Sequence, residues 1–488
     1  MSSRSPVSTR VRSGTAVAAD LVGGVWDRPA DTVPVLDPAD GSLVGEVGRS
    51  GAAEATAAAD AAAAAFPAWA ELPARGRTDL LLRGADAIAA RADELGLLLA
   101  REAGKRLPEA VAEIGLSAEY FRWFVEEARR PAGAVHPHEA ADRRHLTLHR
   151  PSGVAACLTP WNFPCSIQAR KLAAALAAGC TVVARVSEKA PLAVTELIRC
   201  LVDAGLPPGV VNLVHGPAAE ITDAYLAHPA VRVVSFTGST PVGAAVMATA
   251  SRRIVRPLLE LGGNAPFIVF EDADLDRAVG AAMLAKFRNT GQSCIAANRF
   301  LVHDTVHDEF VSRFAARIDA MTVGAGTADP VPDLGPCIDD DRVRDVARLV
   351  EDAVERGGRL ATRAADVPAG GAFHPPALVV DAPEDCELTS TEVFGPAAGV
   401  FRFASEEEAV RRANATEMGL AAYAFTRDAD RLWRLGERLE AGIVGFNHPL
   451  PTAVFAPMGG VKQSGLGREG SDLGLAEFQD VHYVAVGL

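Results

Sequence analysis

The sequence predicts a multidomain α/β protein, and three observations carry that reading. At 488 residues the chain exceeds one ordinary core, so two or three domains of roughly 100–200 residues are expected. From about residue 153, short apolar runs alternate with helical segments. That is the spacing of a parallel sheet covered by helices on both faces. Before that point, residues 52–130 read as one helical block rich in Ala, Leu, Arg and Glu.

The elements follow in order. The Ala-rich run over 52–65 is a packed helix, since Ala is the best helix former. A break at Pro131-Ala132-Gly133 precedes a period-2 strand at His145–Arg150. Strands at Gly153–Leu158, Thr181–Ala184, Val210–Val214 and Val231–Phe236 alternate with helices at Ala169–Gly179, Pro191–Ala204, Ala218–Ala227 and Ala244–Ala250. Leu258–Gly263 is a further strand-like run. A second alternating block runs from Pro266–Phe270 to about residue 470, and His482–Val486 is a last strand. No internal repeat is visible.

Bulk chemistry narrows the function classes. The composition, 49% hydrophobic and 23% charged, is that of a soluble globular chain, and no apolar run is long enough to span a bilayer. A formal net charge of −14 argues against a nucleic-acid surface. Seven cysteines (Cys157, Cys165, Cys180, Cys200, Cys294, Cys337 and Cys386) are dispersed without C-x-x-C spacing, which suits a reducing cytosol. His136, His138, His145 and His149 fall in an expected exposed hairpin or loop, so no metal is expected. Residues 1–19 carry Arg4, Arg10 and Arg12 and no acid. They fit either an organellar transit peptide or a flexible bacterial N-terminus; the cytoplasm is the expected compartment.

Three motifs carry chemistry. Phe287-Arg288-Asn289-Thr290-Gly291-Gln292-Ser293-Cys294 presents a cysteine, a strong nucleophile once ionised, after a Gly-Gln turn. Glu260, at the end of Leu258-Leu259-Glu260-Leu261-Gly262-Gly263, is a candidate general base. Thr159-Pro160-Trp161-Asn162-Phe163-Pro164 offers the Asn162 amide to an oxyanion. A fourth motif, Val233–Gly243, reads as strand, glycine turn and helix start. Gly238 there admits a close ligand approach, and the helix start offers free N–H groups to a phosphate.

In this order the motifs resemble the aldehyde dehydrogenase superfamily over about residues 20–488. The runs Glu260–Phe270, Lys286–Gly291 and Gly459–Gly465 are most similar to its succinate-semialdehyde dehydrogenases. The resemblance implies a Rossmann-like cofactor domain (20–130 and 151–261), an α/β catalytic domain (262–470) and a small β oligomerisation arm (131–150 and 471–488) of a homodimer or homotetramer. It implies Cys294 as nucleophile, Glu260 as base and Asn162 as oxyanion donor, with Lys171 near Asn162 and Glu469 on a proton path. NAD, preferred over NADP, is implied at Thr159, Pro160, Trp161, Arg185, Ser187, Glu188, Gly238, Ser239, Gly243, Leu261, Glu392 and Phe394. Glu188 favours NAD because a carboxylate accepts from free ribose hydroxyls and repels a 2′-phosphate; Arg185, where the family usually has Lys, works the other way. Arg170 and Arg288, with Thr452, suit a substrate carboxylate. Glu260 points to hydrolysis to a free acid, since relatives that pass the acyl group to coenzyme A usually lack this base. The expected activity is oxidation of succinate semialdehyde or a related acid semialdehyde to its acid through a thioester. An uncharged or ring-bearing aldehyde, or a catalytically silent binding protein, are the alternatives.

Overall fold

The computed structural model describes residues 16–130, 132–363 and 365–488. Two sheets organise the chain. In the first, the strands Arg256–Glu260, Val231–Thr237, Val154–Leu158, Thr181–Arg185 and Val211–Leu213 lie side by side and parallel. Their near-continuous Val, Ala and Leu composition follows from burial on both faces. In the second, Ala377–Val380, Ala397–Phe403, Ala297–His303, Ala265–Val269, Ala421–Phe425 and Ile443–Phe446 are parallel, and Arg359–Leu360 adds an antiparallel edge. Each sheet is the middle layer of its own hydrophobic core.

The expected domain limits shift in three places. Gly465–Leu466 pairs antiparallel with Arg256–Glu260, so the chain returns to the first sheet before residue 470. Ala16–Ala18 pairs with Leu43–Gly48 and is therefore structured, whereas residues 1–15 lie outside the described residues. Ser471–Ala476 is a helix, which leaves Gln479–Gly487 to form the arm with Arg143–Pro151 and Ala134–His136. The expected histidine hairpin is here: His136 pairs with His145, and His145 stacks on Tyr483 with ring centres 5.9 Å apart. Thr32–Leu36 and Leu43–Gly48 form strands that residue patterning missed, because Pro34, Gly45 and Gly48 interrupt the alternation. No helix among the described residues is long and apolar enough to cross a membrane.

Helix Pro164–Ala178 positions the site. All its residues are buried, which explains an Ala-rich sequence without a polar face. Pro164 starts it and Gly179, at φ 99°, ends it in the left-handed conformation. No side chain of its own sequence caps it. Glu113, from the helix Leu107–Glu127, instead accepts from Cys165 N at 3.0 Å and Ser166 N at 3.2 Å. Glu113 also pairs with buried Lys105, which donates to Asn162 O at 2.8 Å. A Glu113→Ala change leaves Lys105 as an uncompensated buried charge and two helix N–H groups unpaired. It is expected to cost about 3–5 kcal/mol, read as a lower urea midpoint at unchanged slope.

Candidate active site

Both sheets end at one cleft of ≈ 200 Å³, lined by Pro160, Trp161 and Asn162, by Thr237, Gly238 and Ser239, and by Glu260, Leu261, Gly262, Cys294, Arg342, Glu392 and Phe394. Ten of the residues singled out from sequence meet there.

The cysteine loop is built from unusual backbone. Asn289, Thr290 and Gly291 have φ of 53°, 56° and 75°, and a β-branched residue at positive φ is an outlier. Hydrogen bonds hold the turn. Asn289 Nδ2 donates to Asn162 O at 3.0 Å and to Gln292 O at 3.1 Å, and Thr290 Oγ1 donates to Gly335 O at 3.1 Å. A Cβ on Gly291 would lie 2.1 Å from Gly395 O. Gly263 passes directly over the nucleophile, since a Cβ there would meet Cys294 O at 2.3 Å. Hence the run Leu261-Gly262-Gly263 follows Glu260.

Glu260 is buried, and neither carboxyl oxygen has a hydrogen-bond partner among the described residues. Burial pushes its carboxyl up to about 8; Arg170 and Lys171 pull it down only in part, against Glu469 and Glu392. Burial, with Glu260 and Glu392 nearby, holds the Cys294 thiol well above its usual range. Each group disfavours charge on the other, the setting in which one proton passes between a nucleophile and a base. Asn162 is buried, its Nδ2 donates to Gln292 O at 3.2 Å, and its Oδ1 has no partner among the described residues. The second hydrogen of that amide remains for an oxyanion.

No hydrogen bond joins Lys171 to Asn162 among the described residues. It donates to Ser235 Oγ at 2.8 Å and pairs with Glu469. Burial would raise Glu469, but Arg170 and Lys171 more than offset it and hold that carboxyl at about 2. Arg170, expected at a substrate carboxylate, pairs here with a carboxylate of the chain itself. It is buried, lies 2.5 Å from Glu469 Oε2 and 2.7 Å from Met458 Sδ, and does not line the cleft. Its sequence position could not show this, because Glu469 lies 299 residues further along the chain. Arg288 is half-buried, sits 4.8 Å from the centre of the Phe163 ring, and has no carboxylate partner among the described residues. Thr452 is half-buried in the loop after Ile443–Phe446.

The cleft suits a dinucleotide. The helix Thr240–Ser251 starts at Ser239 without a side-chain cap, leaving its first N–H groups for a phosphate. Thr237 Oγ1, on the cleft wall, is buried and has no partner among the described residues. Glu392 accepts from Gly263 N at 3.0 Å and is pushed up to about 7 by burial, and Trp161 meets Phe394 edge-on at 5.4 Å. Other expected cofactor residues have partners within the chain. Thr159 spends its hydroxyl on Gln168 Oε1 at 2.8 Å. Gly243 allows the helix to seat on Leu261, where a Cβ would be 2.4 Å from Leu261 Cδ2. Ser187 is buried and accepts from Lys189 N at 3.3 Å. Arg185 Nη2 lies 2.5 Å from Glu188 Oε2 and donates to Gly216 O at 3.0 Å. Lys105, Glu113 and Arg342 escaped the sequence reading.

Comparison with known proteins agrees with this geometry. The model of the Aldehyde dehydrogenase family matches residues 26–484. The chain is 43% identical to the mitochondrial succinate-semialdehyde dehydrogenase of Arabidopsis thaliana, over 99% of this chain and 92% of that protein. It is 41% identical to the NADP-dependent succinate-semialdehyde dehydrogenase GabD of Escherichia coli strain K12, over 96% and 97%. The crystal structure of succinate-semialdehyde dehydrogenase from Burkholderia pseudomallei superposes with a TM-score of 0.94 at 43% identity, covering 96% of this chain and 98% of that one. The chain belongs to the aldehyde dehydrogenase family. It is an oxidoreductase that converts an aldehyde to its carboxylic acid with NAD or NADP.

With Glu260 as the base, turnover limited by thioester hydrolysis should rise tenfold per pH unit below about 8 and level off above it, because the carboxyl is protonated at lower pH. A steady-state profile of log kcat against pH checks this, and Glu260→Gln should remove the dependence together with most of the turnover.

Proposed function

We propose that this chain oxidises succinate semialdehyde or a closely related acid semialdehyde, with NAD preferred. The single observation behind the substrate class is Arg288. A half-buried guanidinium resting on an aromatic face, with no carboxylate within ion-pair distance among the described residues, is a cation without its anion. Arg170 would have to leave Glu469 to join it. Recognition therefore falls to Arg288, assisted by the Thr452 hydroxyl, and Arg170 adds buried positive charge behind them.

Chemistry follows from the residues around Cys294. Glu260 accepts the thiol proton, and the Cys294 sulfur attacks the aldehyde carbon to give a thiohemiacetal. The Asn162 amide and the Cys294 N–H donate to its oxyanion, at roughly 3–4 kcal/mol per donor. When bound, the oxidised nicotinamide supplies the hydride acceptor. Loss of hydride from the thiohemiacetal carbon leaves a thioester on Cys294. Glu260 releases that first proton to solvent and then takes one from water, whose oxygen attacks the thioester carbon; the C–S bond breaks, the acid departs, and Glu260 returns its proton to the Cys294 sulfur.

Glu188 stands on the ribose side and supports NAD, although its ion pair with Arg185 weakens repulsion of a 2′-phosphate. Exposed Val135, Val481, Tyr483 and Leu488 on the three-stranded arm support a homo-oligomer. Seven free cysteines support a reducing, cytoplasmic setting.

The test is NADH formation with succinate semialdehyde beside butyraldehyde. Wild-type protein should prefer the acid aldehyde. Arg288→Gln should raise its KM about 10–100-fold, the range of a charge-assisted pair, and leave butyraldehyde unaffected. Equal preference in the wild type would remove the acid-aldehyde reading.

A further inference from the structure

Among the residues lining the cleft, Glu260 and Glu392 are acidic and Arg342 alone is basic. Arg342 lies in the first turn of helix Asp340–Glu355, which packs on the second sheet at Ala377–Val380. Asp339 caps this helix, accepting from Arg342 N at 3.0 Å, and pairs with Lys189. Lys189 in turn lies 6.0 Å from the Trp161 ring centre. The helix start is thereby pinned to the loop that follows Thr181–Arg185 in the first sheet. One Nη of Arg342 donates to Asp345 at 2.7 Å. The rest of the guanidinium has no hydrogen bond among the described residues, and the side chain is 26% exposed.

The cofactor's own chemistry selects the partner of this cation. A dinucleotide's ribose hydroxyls ask for acceptors, which Glu188 and Glu392 are placed to provide. Its oxidised nicotinamide is positive. The negative charge shared by NAD and NADP lies on the diphosphate joining the two halves, and a guanidinium matches phosphate oxygens in charge and in donor geometry. The 2′-phosphate of NADP belongs at the adenosine ribose, beside Arg185 and Glu188, and Arg342 lies instead with Glu392 and Phe394.

We propose that Arg342 is a cofactor-binding residue that pairs with the diphosphate from the second-sheet side, facing the Gly238-Ser239 turn and the uncapped helix start on the first. This rests on the dinucleotide reading of the cleft.

Binding to the intact protein tests it, with calorimetry and tryptophan fluorescence as readouts. The probes are ADP-ribose, which has the diphosphate without the nicotinamide, and adenosine, which has neither. Arg342→Gln should weaken ADP-ribose about 10–100-fold, with adenosine unchanged within about twofold and thermal stability preserved. Arg342→Lys should recover part of the loss, and the wild-type advantage should shrink as salt rises. ADP-ribose affinity unchanged in Arg342→Gln would overturn the proposal, as would an equal loss for adenosine. Failure of the wild type to bind ADP-ribose would instead overturn the dinucleotide reading, and this inference with it.

Discussion

The buried ion pair of Lys105 and Glu113 is the interaction on which the site's architecture depends. Two charges out of water are costly unless nearly every donor and acceptor is matched, and here they are well matched. Glu113 takes two N–H groups of the helix carrying Arg170 and Lys171, and Lys105 holds the Asn162 carbonyl and rests 4.0 Å from the Phe163 ring centre. The same carbonyl accepts from Asn289. One pair thus ties together the helical block, the oxyanion loop and the turn that presents Cys294. A neutral replacement could fill the volume, but it could not satisfy a helix start and a loop carbonyl together.

A second constraint is electrostatic. Two cations, Arg170 and Lys171, enter the same buried region as three carboxylates, and the distribution is uneven. Glu469 takes both cations by direct pairing and stays ionised, whereas Glu260 has no hydrogen bond among the described residues and is raised. Two carboxylates close in space are thereby driven to different protonation states, so a fixed charge and a proton acceptor lie side by side. Arg170 takes part in this division through its pairing with Glu469.

Much of the fold was legible because parallel strands buried on both faces read as apolar runs. Val231–Thr237 and Ala265–Val269 fall within a residue or so of their expected bounds. The cleft was legible through local motifs, since Cys294, Glu260, Asn162, Gly238 and Glu392 each sit in a short run with its own turn chemistry. What sequence could not show depends on long-range partners. The pairing of Arg170 with Glu469 joins residues 299 positions apart, and the hold of Lys105 on the Asn162 carbonyl joins residues 57 apart. The partners of Thr159 and Gly243, Gln168 and Leu261, follow from packing that their motifs do not encode. An edge strand supplied by residues 465–466 has no local signature at all.

The account stands on a thioester at Cys294 that Glu260 hydrolyses. Rapid acid quench of the turning-over protein, followed by peptide mass analysis, tests it most directly. The account predicts an acyl mass increment on the peptide containing Cys294, short-lived in the wild type and persistent in Glu260→Gln. An increment on another cysteine, or one that decays equally fast without the Glu260 carboxylate, would contradict it.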